Sequence, residues 1–435
     1  MSPDTEPTTI PRHVRHGSNA GQPVSRRDGV LKVTGAATYA ADNHPEGMLH
    51  AVIVPSTIAR GRVRSLEVAA AKAHPGVVEV ITPENRAPLH HDPDEKMPPF
   101  GFRVEVLQDD SVRYVNQPIA LVVAETLEAA TEGARLLAPR YEEELPRTGL
   151  DNGERYDAEA VGVGSPAVAT AGDIETGFSA AARVTEAEYY TPPQYHNAME
   201  PHAVVAEWDG DRLTLDMPNQ ALRMSANSYA QYFGIPPENV LIRSPFLGGG
   251  FGSKAIINGP QILGILAARQ LGRPVKLVLT RAQMYGPVGH RGRTWQKLRL
   301  GTDAKGRLTA LHHTSIGATS SFDDFIEPAA NASLMLYASP AIRAEHKGLR
   351  LDIGTPGPMR APGEASGSAA LEIAIDEAAQ ACGMDPLAFR LANYADTEPT
   401  SGKPYSSKAL RECYEQGAAS FGWSDRPLEP ATMRD

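Results

Sequence analysis

The sequence predicts an α+β protein made of two α/β units in series, and three observations carry that expectation. Short β-branched runs such as AVIV (51–54), VVEVI (77–81) and IALVVA (119–124) alternate with stretches of helical composition. A segment from Pro146 to about Gly172, rich in Gly, Asp, Glu and Pro, breaks the periodicity. Beyond it the alternation of strand and helix patterns resumes over a longer region.

In the first unit, HAVIVPSTIARGRVRSLEVAAAKAHPGVVEVIT (50–82) reads as strand, loop, helix and strand, with the glycine of HPG closing the helix. NQPIALVVAETLEAATEGARLLAPRYEEE (116–144) repeats the theme with a buried strand and an amphipathic helix. Together they define a unit over 23–146, preceded by a disordered tail at 1–22 and followed by a surface linker at 147–172. The second unit, 173–435, holds candidate strands RLTLDM (212–217), NVLIRSPF (239–246) and VKLVLT (275–280). PQILGILAARQLG (260–272) is a helix with Pro260 in its first turn and Gly272 just past its end. EASGSAALEIAIDEAAQACG (364–383) is a second, its apolar Leu371, Ile375, Ala378 and Cys382 at three- and four-residue spacing. Asp385 then caps a new helix that starts at Pro386.

Composition excludes several classes of function. The 435 residues, 41% hydrophobic and 22% charged, are those of an ordinary globular protein large enough for more than one core. A formal charge of −10 argues against general nucleic-acid binding. No apolar run reaches the ~18 residues of a membrane helix, and the polar start lacks the apolar centre of a secretory signal. Cys382 and Cys413 are the only cysteines. They are too few for a disulfide framework, a four-cysteine zinc site or an iron–sulfur cluster on this chain.

The stretch SPFLGGGFGSKAI (244–256) concentrates four glycines around one phenylalanine. Such a run is either slack or a place where backbone comes close to something. A phosphate-binding P-loop fails, because Ser253 precedes Lys254 where glycine is required. A dinucleotide fingerprint fits better, as Gly250 to Ala255 matches G-x-G-x-x-A after a strand. However, Gly259–Pro260 interrupts the helix that should follow, and VKLVLT ends without the acidic residue expected on a ribose. A purely structural glycine turn remains the plain alternative.

GGGFGSK resembles the GGGFGGK motif in the molybdenum-binding subunit of the xanthine dehydrogenase/aldehyde oxidase family. Other matches fall in the family's order: GQPVSRRDGVLKVTGAATYAADN (21–43), NQPIALVVAET (116–126), HNAMEPHA (196–203), MPNQ (217–220) and PMRAPGEASG (358–367). The resemblance runs from Gly21 to the last residue and is nearest to bacterial aldehyde-oxidising members. It implies a hammerhead domain followed by the first molybdenum-cofactor-binding domain. It also implies a molybdenum–pterin cofactor, of the cytosine dinucleotide form common in bacterial relatives, whose metal is held by pterin sulfurs and not by side chains. The cofactor-binding residues would be Gln220, Gly249, Gly250, Phe251, Gly252 and Arg360, with bare glycine backbone donating to oxo and phosphate groups.

Several positions depart from the family pattern. Ser253 replaces a glycine, which would cost something if its φ were positive. Ala255, His290 and Pro362 stand where purine-oxidising relatives carry a glutamate, an arginine and a phenylalanine in the substrate pocket. Their absence points to an aldehyde, which needs fewer orienting hydrogen bonds. His196, Glu200 and His202 invite a metal reading, but Pro201 breaks the helix they would need and a structural network is the better account. His90–His91 reads as a solvated loop and His312–His313 as a strand edge, neither with a role.

The family's general base is a glutamate in a G-V-G-E motif, and the one GVG here (162–164) is followed by Ser165. The resemblance therefore implies no catalytic residue in this chain and a second chain carrying that glutamate, as in a split molybdenum subunit. It further implies a [2Fe–2S] subunit and an FAD subunit to remove electrons, and a cytoplasmic location unless a partner co-exports the complex to the periplasm. The alternatives are a non-catalytic truncated or scaffold homologue and an NADP-binding dehydrogenase resting on Gly250–Ala255.

Overall fold

The computed structural model describes residues 22–96 and 102–427. The reading of residues 1–22 as a tail thus falls almost wholly outside the described residues.

The first sheet has seven strands in the order Val240–Arg243, Arg212–Asp216, Ala203–Asp209, Val275–Val278, Leu49–Pro55, Pro118–Ala124, Val77–Ile81. Its centre joins distant sequence, because Leu49–Ala51 pairs in parallel with Val275–Leu277. One sheet therefore spans both units of the sequence. Pro118–Ala124 is buried along its whole length, as a continuous apolar run requires when both faces are covered. Helix Leu127–Leu136, capped by Thr126 accepting from Ala129 N–H, lies in the N-terminal part of the assembly. Helix Gly259–Leu271 begins with the Asn258 side chain accepting from Gln261 N–H and ends at Gly272, whose φ is 64°. Ten of its residues are buried. Ile262 and Leu266 join Leu49, Leu121, Val204 and Leu277 in the main core, each worth roughly 1.5–3 kcal/mol on burial.

The second sheet runs Val168–Ala171, Ile342–Leu351, Leu308–Ser320, Thr294–Thr302, Arg183–Thr191, with Glu154–Asp157 also pairing on Ile342–Leu351. Helix Glu364–Ala381 covers it, placing Leu371, Ile375 and Ala378 against Leu298, Leu311 and Ile342. The predicted helices at 260–272 and 364–383 and the Asp385 cap are all present, Asp385 accepting from the N–H groups of Leu387 and Ala388.

Three readings need correction. The segment 147–172 is not a plain surface linker, since Glu154–Asp157 and Val168–Ala171 are strands of the second sheet. Each is only four residues long, too short for periodicity to show. Gly61–Ser65, read as loop, is a strand of a small sheet with Ser111–Val112 and Arg140–Glu143. His313 is not at a strand edge: it sits fully buried inside Leu308–Ser320, between Ser333 Oγ at 2.8 Å and Gln296 Oε1 at 3.0 Å.

Burial pushes the imidazoles of His202, His290 and His313 down to about 3. It also lowers His50, His196, His312 and His346. An unfolded chain titrates them near 6.5, so below that pH the unfolded state binds more protons and stability falls with falling pH. Glu105, pushed up to about 7 by desolvation, and the raised Asp323 and Glu327 act with the opposite sign. Seven imidazoles outweigh three carboxyls. The melting temperature is expected to be lower at pH 5 than at pH 7; an equal or higher value at pH 5 contradicts this balance.

Candidate functional site

Three loops meet beyond the ends of the first sheet's strands. The glycine loop follows strand Val240–Arg243, Gln220 follows strand Arg212–Asp216, and residues 358–363 lead into helix Glu364–Ala381. Gln220 is tied to the glycine loop twice: its N–H donates to Lys254 O at 2.9 Å, and its Oε1 accepts from Gly252 N–H at 3.0 Å. Arg360 N–H donates to Phe251 O at 2.8 Å, joining the loop at 358–363 to the same turn.

The glycines are needed because neighbouring chain lies so close. A Cβ at Gly248 would stand 2.4 Å from Glu200 Cβ, one at Gly250 2.3 Å from Gln220 Oε1, and one at Gly252 2.1 Å from Pro358 O. Gly249 and Gly252 have φ of 99° and 113°, and Phe251 itself is left-handed at 54°. Ser253 has no positive φ, so the expected strain is absent. It is buried, and its Oγ donates to Gly250 O at 3.0 Å, closing the turn.

A clasp holds this turn from behind. Lys254, fully buried, donates from Nζ to Glu200 O at 2.8 Å and to Glu200 Oε2 at 3.0 Å. The same Oε2 accepts from Gly248 N–H at 2.7 Å. Burial lowers the Lys254 pKa, opposed by Glu200. His196 bonds through Nε2 to Pro358 O at 2.9 Å, and His202 faces Ser253 O at 3.5 Å. Among the described residues no group of three or more metal-ligating side chains exists, and these histidines are part of the loop's support.

The carbonyls of both loops are turned toward protein. Gly248 O accepts from Glu200 N–H, Gly250 O from Ser253, Pro358 O bonds His196, and Arg360 O accepts from Arg291 Nη2. In a trans peptide the following N–H points the opposite way. The N–H groups of Gly249, Phe251, Met359 and Ala361, with that of buried Gly250, accordingly find no partner among the described residues. With Oε1 engaged, Gln220 is exposed and its Nε2 amide has no hydrogen-bond partner among the described residues. Orphaned backbone donors are rare in folded proteins, and a row of them beside a free amide suits an oxygen-rich anionic ligand. These residues fit a molybdenum–pterin group.

The substrate-pocket candidates are placed less uniformly. Ala255 ends the short turn Ser253–Ala255 and is partly exposed, whereas Pro362 is exposed beside Arg360. His290 is enclosed, 3% exposed, with its ring stacked on Tyr195 at 5.1 Å. The sequence neighbours of Ala255 and His290, Ile256 and Gly289, line a small, partly open cleft of about 40 Å³ with Phe102, Tyr114 and Phe322. The dinucleotide reading fails here, because only a 3₁₀ turn follows the glycines and the helix starts at Gly259. Sequence reasoning missed Arg291, Glu327 and the partnership of Lys254 with Glu200; no local pattern marks residues that meet only in three dimensions.

Comparison with known proteins bears on the same residues. Residues 34–145 match the aldehyde oxidase and xanthine dehydrogenase a/b hammerhead domain, and residues 162–394 match the molybdopterin cofactor-binding domain. The chain is 39% identical over 430 residues to the aldehyde oxidoreductase molybdenum-binding subunit PaoC of Escherichia coli (strain K12), covering 95% of this chain and 56% of that one. It thus spans about half the length of the curated relatives it matches. In structure it is similar to quinoline 2-oxidoreductase from Pseudomonas putida 86, with TM-score 0.79, 24% identity, and 92% and 54% of the two chains covered. It is also similar to the aldehyde oxidoreductase from Desulfovibrio gigas, with TM-score 0.77, 23% identity, and 93% and 47% covered.

Proposed function

Because the chain belongs to the aldehyde oxidase and xanthine dehydrogenase family, with the hammerhead and molybdopterin-binding domains of its molybdenum-binding subunits, we propose that the glycine loop and residues 359–361 cradle the pterin-borne metal. The observation that carries this reading is the set of unpartnered N–H groups at Gly249–Phe251, Met359 and Ala361 beside the Gln220 amide. When bound, the group supplies two-electron oxidation with water as the oxygen source. Gln220 and the free N–H groups of Gly249, Gly250 and Phe251 would hold the group by hydrogen bonds, and Gly252 lets the loop at Pro358 pack against the same turn. The loop at Arg360, joined to the same turn through Phe251 O, would add the free N–H groups of Met359 and Ala361.

The substrate class is an aldehyde, or less favourably an N-heterocycle. Ala255 and Pro362 stand where purine-oxidising relatives carry contacts, which favours an aldehyde. The general base is a glutamate that lies outside these 435 residues, whose one GVG is followed by Ser165. Electrons leave through [2Fe–2S] and FAD subunits, since this chain has two cysteines. The pterin carries the cytosine nucleotide, and the complex works in the cytoplasm unless a partner exports it. Among the described residues no helix is long and apolar enough to cross a membrane.

Metal and pterin analysis of the chain, purified with whatever accompanies it from a molybdopterin-producing host, tests this. One molybdenum per chain with pterin fluorescence and a second polypeptide is the expected result. A metal-free monomer would instead support a scaffold role, and retained NADP(H) without molybdenum a dehydrogenase.

A further inference from the structure

We infer that the buried Arg291–Glu327 pair is a positioning device that sets the backbone of residues 359–363 against the glycine loop; the inference rests on the cofactor reading given above. Arg291 lies just before strand Thr294–Thr302, and Glu327 lies just before the short helix Ala329–Leu334. They are 5% and 1% exposed, and Arg291 Nε stands 3.3 Å from Glu327 Oε1.

Each partner takes one kind of backbone group from the same segment. Arg291 Nη2 donates to Met359 O at 3.1 Å, to Arg360 O, and to Ala361 O at 3.4 Å. Glu327 Oε1 accepts from Gly363 N–H at 2.7 Å and from Ser366 Oγ at 3.2 Å. Three consecutive carbonyls are thereby drawn to the cation and the next free N–H to the anion. Between them Ala361 is left-handed at φ 59° and Gly363 at 87°. A non-glycine residue holds that conformation only where its surroundings impose it.

The geometry also explains why an ion pair is used. A carbonyl drawn inward forces the following N–H outward, so Arg291 both anchors the segment and turns the Ala361 N–H away from the protein. Arg291 is itself held by Gln194, through Nη1 to Oε1 at 2.9 Å and by reciprocal backbone bonds at 2.8 and 3.2 Å. Gln194 lies two residues before His196, which grips Pro358 O. The segment is thus fixed at Pro358, at 359–361 and at Gly363, and its Arg360 N–H meets Phe251 O.

The test separates positioning from stability. Losing one partner of a buried pair destabilises strongly, whereas replacing both by apolar residues is often neutral. The double variant Arg291→Met/Glu327→Leu, in the full chain with its co-purifying partners, is therefore expected to melt within a few degrees of wild type. It is expected to lose about tenfold or more of its bound molybdenum and pterin. Amide exchange over 358–363 is expected to accelerate at least tenfold, with strand Ile342–Leu351 unchanged. Arg291→Lys, which keeps the charge but not the planar fork, is expected to retain an intermediate amount. Full molybdenum and unchanged exchange in the double variant would overturn the inference, as would accelerated exchange with full molybdenum. If the double variant does not fold, Arg291→Lys decides: molybdenum and exchange at wild-type values overturn the inference, intermediate values support it. A wild-type chain that holds no pterin defeats the cofactor reading itself, and the inference with it.

Discussion

Gly250→Val is expected to empty the cofactor site while the fold stands. The new Cβ would meet Gln220 Oε1, Cδ and Cγ at 2.3, 2.5 and 2.9 Å. Those atoms belong to the end of an exposed, flexible side chain, and Gly250 has no positive φ, so the clash relaxes by moving Gln220 rather than the sheet. Moving it breaks the bond to Gly252 N–H and swings the amide out of the row of donors. Molybdenum and pterin per chain are expected to fall at least about tenfold, a loss of ~1.4 kcal/mol or more in binding, with unchanged circular dichroism. Normal molybdenum content would count against the whole assignment of this loop.

The largest effect on stability is expected at Glu200. Its carboxylate and carbonyl are the hydrogen-bond partners found for a lysine with no exposed side-chain surface, and it also holds Gly248 N–H. Glu200→Ala leaves the Lys254 ammonium enclosed beside one carbonyl, which costs about 3–5 kcal/mol for a buried pair of this kind. Urea unfolding of the cofactor-free chain measures it. A midpoint shift equivalent to less than about 1 kcal/mol would show that Lys254 escapes to water and that the clasp is slack. Adding Lys254→Met to the alanine variant is expected to restore part of the loss.

Much of the architecture was legible because the relevant signals are local. Apolar runs, the Asp385 cap, and Gly272 and Gly383 past helix ends each announce an element within a few residues. The glycine loop announced itself too, but what its glycines accommodate did not. Their closest neighbours, Glu200, Gln220 and Pro358, come from three separate stretches of chain. The same distance hid Arg291 and Glu327, which are ordinary charged residues until residues 359–363 are wrapped between them. The strands at Glu154–Asp157 and Val168–Ala171 were hidden for another reason: four residues beside Gly and Pro carry too little pattern to separate strand from loop.

The parallel pairing of Leu49–Ala51 with Val275–Leu277 has a practical consequence. Cutting the chain anywhere between the two sequence matches, at residue 150 for instance, would not release two independent modules. The C-terminal fragment would carry Val275–Val278 as a bare β-edge lined by apolar residues, and the N-terminal one would expose the matching rim of Leu49–Pro55. Both are templates for indiscriminate strand addition. Exchange of the N-terminal portion between homologues should therefore succeed only where the incoming strand reproduces this seam. Libraries built by crossover near the apparent linker would be expected to yield mostly insoluble protein.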